Sequence, residues 1–444
     1  MALDQFTHLN TTFDKHGQRV DQDPVAALTR LLEQTAGAPF TDLLVLSHGW
    51  NNNARQAREF YDDLLQSLLQ VARDQGQVLP DSLAVLALHW PSKQFDFERR
   101  RGAGGAASIA ANDRAADQAS VLAALEDLRD FAESDAQHNS IDIAGAMVPE
   151  LDDLRSARDA FVATLLPLLT EPNHGDAGDA PESLLARLTG REVLDKLDRP
   201  PPPGLAPRPD DATGGLAGGA TGRVAAGAQR GAFSFINLLT FWKMKARAGK
   251  VGQRGVAALL DEIARTRPQL SMHLAGHSFG ARLLTAAAMA VSEQTRLASL
   301  SLLQGAFSHH AFAGNLTNNA DEPRSGAFRK VITAGKVDGP ILATHTRNDR
   351  AVGLAYPMAA RLSRDDAAAL GDAQSRFGGI GSNGAVRTEE AQFLALGPVG
   401  STYPFEANHI FNLQADAFID GHSDITGPEV AHALLAAIHA KESN

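Results

Sequence analysis

The stretch Gly276-His277-Ser278-Phe279-Gly280 has residue types and a spacing that could do chemistry. A serine hydroxyl is a weak nucleophile, and it becomes useful when a sharp turn exposes it beside the free N–H groups of a helix start. An apex serine crowds the neighbouring strand and helix, so glycines two residues away on either side remove Cβ atoms that would collide. In a chain with 39 glycines the pattern alone is weak evidence. Its surroundings carry more weight: Leu270 to Ala275 reads as a strand, and Ala281 to Ala290, rich in Leu and Ala, reads as a helix. Ser278 is therefore expected to be a nucleophile, with Gly276, His277 and Gly280 forming the elbow around it.

A nucleophilic serine needs a base, and the base needs an acid to orient it. Asp349 sits in the polar loop Arg347-Asn348-Asp349-Arg350 after the apolar run Pro340 to Thr346, and His422 sits in FIDGHSDI after the run Ile410 to Ala415. Both lie at the carboxyl ends of expected strands, where open parallel sheets place their sites. Asp338 and His409 precede the same two strands and belong to the opposite edge. Asp424 competes for the acid role, but it stands two residues from His422 and is badly placed to reach across the ring. Acyl transfer also needs two donors for the developing oxyanion. The N–H of Phe279, just past the serine, is one. The second is expected from the loop Ser47-His48-Gly49-Trp50-Asn51 after an early strand, with Gly49 turning the backbone toward the serine and the Trp50 N–H as donor.

The elements that must position these residues fall into two blocks. In the first, Leu43 to Leu46 and Leu83 to Leu88 are continuous apolar runs, the mark of strands buried on both faces. Between them Asn53 is a plausible N-cap for a helix whose apolar stripe is Ala57, Phe60, Tyr61, Leu64, Leu65, Leu68 and Val71. In the second block, a helix carrying Val256, Leu259, Leu260 and Ile263 precedes the strand Leu270 to Ala275. Strands at Leu300 to Leu303, Pro340 to Thr346 and Ile410 to Ala415 follow. A last helix is expected from Thr426, with Pro428 in its first turn and Glu429 closing a capping box. Such alternation predicts an α/β protein with a mostly parallel sheet covered on both faces.

Between the blocks, from about Pro91 to Arg247, helical patterns replace the alternation. Leu122, Leu125, Leu128 and Phe131 form one stripe, and Leu151, Leu154, Phe161, Val162 and Leu165 form another. Residues 198–231, with Pro200 to Pro203 followed by a Gly-rich run, carry too few apolar side chains to repay ordering and read as a mobile linker. The stretch AFSFINLLTFW, residues 232–242, either lines a substrate cleft or lid that meets a lipid surface, or is the buried start of the following helix. So many large apolar groups require some contact.

Composition excludes several function classes. The formal charge of −11 gives no electrostatic footprint for nucleic acid or an anionic membrane. The absence of cysteine excludes disulfides, a thiolate nucleophile and Cys-ligated metal. The start MALDQFTHLNTTFDKHG shows no secretory pattern, and no apolar run reaches the roughly 18 residues that span a bilayer. A cytoplasmic protein without a membrane-spanning segment is expected. Composition leaves the oligomeric state open.

Taken together, HGW after the first buried strand, GHSFG on an elbow, and then Asp349 and His422 in that chain order resemble the α/β-hydrolase superfamily. The resemblance covers residues 1–90 and 245–444 as the core, leaving 91–244 as a helical insertion. The run FWKMKARAGKVGQRGVAALL, residues 241–260, resembles the helix before the elbow strand in a group of bacterial α/β-hydrolases with little assigned function. The resemblance implies a Ser-His-Asp acyl-enzyme mechanism on Ser278, His422 and Asp349, with no metal or organic cofactor, and an insertion acting as a cap. The adjacent His309 and His310 have no acidic partner at ligand spacing and read as a loop pair. The expected activity is hydrolysis of a small-molecule or lipid-like carboxylic ester. Amide or thioester hydrolysis by the same triad, and a binding module that keeps the fold without turnover, are the alternatives.

Overall fold

Six apolar runs become the inner part of one parallel sheet in the computed structural model, which describes residues 2–20, 26–27, 40–76, 79, 82–92, 111–169, 185, 187–198, 227–316, 324–349 and 378–440. The strands are β1 His8–Thr12, β2 Asp42–Ser47, β3 Leu83–His89, β4 Ser271–His277, β5 Ser299–Leu303, β6 Ile341–His345, β7 Ala391–Ala395 and β8 Ile410–Gln414. Their order is β1-β3-β2-β4-β5-β6-β8-β7, and every neighbouring pair is parallel. The two strands not expected from the sequence, β1 and β7, are the two edges. Each has a neighbour on one side only and is partly solvated, so neither shows the continuous apolar run of a doubly buried strand.

The helices are α1 Ala54–Asp74, α2 Ala111–Leu128, α3 Asp135–Met147, α4 Arg155–Leu165, α5 Gly190–Leu197, α6 Ala228–Lys250, α7 Ala257–Thr266, α8 Phe279–Ala290, α9 Arg329–Thr333, α10 Ile380–Asn383 and α11 Pro428–His439. Alternation along the strands divides the core in two. Leu43 and Val45 of β2 point to a cluster that includes α6, α7, α8 and the helices of the 111–197 region. Leu44 and Leu46 point to the other face, covered by α1 and α11. Asn53 caps α1 as expected, in a reciprocal capping box with Gln56. A π-helical turn, Val251–Val256, joins α6 to α7, making one nearly continuous helical column before β4.

Several expectations about the helices need correction. Leu122 and Leu154 are 45% and 47% exposed, and the buried face of α2 runs through Val121, Ala124, Leu125 and Leu128 instead. The α11 capping box on Thr426 is absent. Gly427 is the N-cap, extended at φ −64° and ψ 158°, because Pro428 at the first helical position disfavours a helical residue before it. The Thr426 carbonyl instead accepts from the Ser67 hydroxyl of α1 at 2.5 Å. Most of the linker expected at 198–231 lies outside the described residues, but its last residues are helical because α6 begins at Ala228. The same helix crosses the expected core boundary at 244/245. Among the described residues, no helix is long and apolar enough to cross a membrane.

Candidate active site

β4 delivers Ser278 to the carboxyl edge of the sheet, between β2 and β5. Ser278 holds φ 57° and ψ −120°, a conformation that costs a non-glycine residue about 1–3 kcal/mol and persists only when neighbours enforce it. They do so from both sides. The Ser278 N–H donates to the Leu303 carbonyl of β5 at 3.0 Å, and its own carbonyl accepts from Ala306 and Ala281, each at 3.2 Å. The flanking glycines are sterically required. A Cβ on Gly276 would lie 2.6 Å from the Gly280 backbone, and one on Gly280 would lie 2.4 Å from the Ser47 carbonyl oxygen.

The loop after β2 comes down onto this turn. A Cβ on Gly49 would stand 2.9 Å from the Cβ of Ser278 and 2.9 Å from Nδ1 of His277, so only glycine allows this approach. Buried side chains fix the loop. The His48 N–H donates to the Tyr61 hydroxyl at 2.9 Å, Tyr61 donates to the Leu88 carbonyl, and Trp90 Nε1 donates to the His48 carbonyl at 3.1 Å. His48 donates from Nδ1 to the Gly49 carbonyl at 3.0 Å. Burial pushes its imidazole down to about 3, so it is neutral at pH 7. Among the described hydrogen bonds, none uses the N–H of Trp50 or of Phe279. The Trp50 and Phe279 rings lie 5.7 Å apart, and Phe241 of α6 touches both, at 6.3 and 5.1 Å.

Asp349 and His422 meet across the carboxyl ends of β6 and β8. Nδ1 of His422 donates to Oδ2 of Asp349 at 2.8 Å, and both side chains are buried. The two loops are tied together at other points too. Asn348 donates to the Asp416 and Ile419 carbonyls, and the Thr346 hydroxyl donates to the Asp416 carboxylate at 2.9 Å. His277, next to the serine, reaches the same loop. Its Nε2 donates to the His422 carbonyl at 2.9 Å, and the two rings are 4.8 Å apart. Burial, followed by the neighbouring His422, drives the His277 imidazole down to about 3, which keeps it a neutral donor. The described hydrogen bonds of His422 run to Asp349 and His277, and none joins it to the Ser278 hydroxyl.

The structure thus brings together the elbow, the loop His48-Gly49-Trp50, and the Asp349–His422 pair. A proton accepted at Nε2 of His422 would place a positive imidazolium against a buried carboxylate, which is a favourable arrangement for a general base. The residues set aside from the sequence lie elsewhere. Asp424 accepts from the Asp420 N–H within its own loop, Asp338 pairs with Arg296, and His409 contacts the Ala407 carbonyl. The His309 and His310 rings lie 4.1 Å apart, tilted by 42°, and Asn383 donates to Nδ1 of His309. Among the described residues no group of three or more His, Cys, Asp or Glu side chains is arranged to hold a metal ion.

Sequence reasoning missed Tyr61 and Trp90 as parts of the site's support, and it passed over Gln304, whose amide lies 3.2 Å from Oδ2 of Asp349. Tyr61 and Trp90 carry no local sign of that role, because their polar atoms act through partners far along the chain. Gln304 had a signal: a polar residue directly after the apolar run Leu300 to Leu303, at the carboxyl end of a strand. Compared with known proteins, the chain matches no family model, no curated relative and no solved structure.

Proposed function

We propose that the chain is a serine hydrolase of the α/β-hydrolase type that cleaves carboxylic esters. The observation that carries this reading is the strained backbone of Ser278 on a strand-to-helix turn, beside a buried, hydrogen-bonded Asp349–His422 pair. Strain at one polar residue, maintained by hydrogen bonds on both flanks, has a purpose if that hydroxyl must be presented.

In the proposed reaction Ser278 Oγ attacks the ester carbonyl while Nε2 of His422 takes its proton. The negative oxygen is received by the N–H groups of Trp50 and Phe279. Collapse of the tetrahedral intermediate breaks the carbon–oxygen bond, and His422 returns the proton to the leaving alcohol. Water, deprotonated by His422, then attacks the acyl-serine ester; the acyl carbon–Oγ bond breaks, His422 passes the proton to Ser278 Oγ, and the acid is released. Asp349 holds the imidazole tautomer and balances its charge throughout. The rings of Trp50, Phe241 and Phe279 beside the donors support an apolar acyl group. The finer fold assignment belongs to the same proposal: a hydrolase core at 1–90 and 245–444, with the helices of 91–244 acting as a cap that reaches the site through Phe241.

The test is labelling with a fluorophosphonate and location of the adduct, alongside turnover of p-nitrophenyl acyl esters of increasing chain length, peptides and acyl thioesters. An adduct on Ser278 and ester turnover abolished by Ser278→Ala are expected. A chain that takes no label at Ser278 is a binding module, and activity confined to peptides or thioesters reassigns the substrate.

A further inference from the structure

Gln304 is fully buried at the end of β5 and has so far no role. Its backbone is turned to φ 47°, the left-handed region that a long side chain rarely occupies. The turn takes its N–H off the strand ladder and onto the Thr344 hydroxyl of β6 at 3.0 Å. With its amide nitrogen toward Asp349, the side chain donates to Oδ2 of Asp349 at 3.2 Å and to the Gly381 carbonyl at 2.5 Å. The opposite orientation would set its oxygen against those two acceptors, so the network fixes the amide.

We infer that Gln304 is a positioning residue that holds the Asp349 carboxylate toward His422. The oxygen it binds is the one that accepts from Nδ1 of His422. The inference rests on the triad reading above. Asp349 is fully buried, so protein groups rather than bulk water must fix the plane of its carboxylate. Gly381 forms the wall behind it: a Cβ there would fall 2.8 Å from Oδ2 of Asp349 and 3.0 Å from the Gln304 carboxamide. That wall is itself pinned, since Gly381 donates to the Gly305 carbonyl and accepts from the Thr346 N–H, both at 2.9 Å. Among the described residues, the ionisable groups near the pair are His422, the His277 ring tilted against it at 4.8 Å, and Asp416, which is bonded to Thr346 and paired with Arg347.

Two variants test the inference, Gln304→Leu and Gln304→Glu, each compared with wild type for kcat, KM, pH profile and crystal structure. Gln304→Leu removes the donor at similar volume. It is expected to lower kcat about 10- to 100-fold with KM unchanged, the scale seen when a partner that orients a functional side chain is lost. Its crystal structure should show the Asp349 carboxylate rotated away from the imidazole. Gln304→Glu keeps the donor only while its carboxyl is protonated. It should work at the acid end of the range and lose kcat relative to wild type as pH rises and the introduced carboxyl ionises. A purely structural role would scale the wild-type profile by a constant.

Wild-type kcat in Gln304→Leu, or a Gln304→Glu profile parallel to wild type, overturns the inference. If Gln304→Leu does not fold, the comparison of Gln304→Glu at two pH values decides within one protein. If wild type neither turns over esters nor takes label at Ser278, the function proposal fails by itself. The carboxylate geometry in the Gln304→Leu crystal then decides the role of Gln304, an unmoved carboxylate refuting it.

Discussion

Gly49→Ala tests the oxyanion loop with one methyl group. The new Cβ would stand 2.9 Å from both the Ser278 Cβ and the His277 Nδ1, against the 3.4 Å at which ordinary contact begins. Neither neighbour can yield cheaply. Ser278 is held by its N–H bond to Leu303 of β5 and by the bonds its carbonyl accepts from Ala306 and Ala281, and His277 by its bond to the His422 carbonyl. The loop must therefore withdraw by about half an ångström or more, carrying the Trp50 N–H with it. Loss of one oxyanion donor costs about 3–4 kcal/mol, or 10²- to 10³-fold in kcat. Because the donor acts on the transition state, KM should stay close to wild type. The assay is steady-state hydrolysis of a short p-nitrophenyl ester, with thermal unfolding measured in parallel to show that the fold survives. A Gly49→Ala protein with wild-type kcat would show that this loop supplies no donor, and the role assigned to Trp50 would have to be withdrawn.

Other perturbations probe different parts of the site. Asp349→Asn should keep the fold but lower kcat by about 10⁴, since an amide favours the wrong imidazole tautomer; a loss below tenfold, measured with the same ester, would remove Asp349 from the mechanism. Gly280→Ala places a Cβ 2.4 Å from the Ser47 carbonyl and should cost about 1–3 kcal/mol in denaturant unfolding, a loss absent if the elbow can relax. His48 and His277 are both depressed to about 3 in the folded chain, so the unfolded chain binds more protons between about pH 6.5 and 3, and stability should fall as pH falls through that window. At pH 5 each accounts for about 2 kcal/mol relative to neutral pH, and His277→Gln should flatten that part of the stability profile measured by urea titration; an unchanged slope would refute the assigned shift.

The two blocks of alternating strands and helices were legible because burial on both faces writes a continuous apolar run into each inner strand. The same signal fails at the edges, where the strand His8–Thr12 reads as HLNTT and passes for a loop. Periodicity also misassigns faces when a helix packs on only part of its stripe, which is why Leu122 is exposed while Val121 and Ala124 are buried; Leu154 is exposed because it is the extended N-cap before α4, outside the helix. The apolar stretch 232–242 proved to be largely core, with Phe235, Ile236, Leu238 and Leu239 fully buried, while Phe241 also borders the candidate site.

The sequence by itself determined the strand-turn-helix around Ser278, and it placed Asp349 and His422 after strands, because turn chemistry and strand burial act over a few neighbouring residues. Only the tertiary structure decided that Asp349 and His422, 73 positions apart, share a hydrogen bond, and that Gln304 reaches the same carboxylate oxygen. Such contacts depend on strand order and on where each chain segment turns, and no local pattern encodes them. The strain at Ser278 joins the two levels: its glycines are visible in the sequence, but its bond to Leu303 of β5 exists only once the sheet has formed.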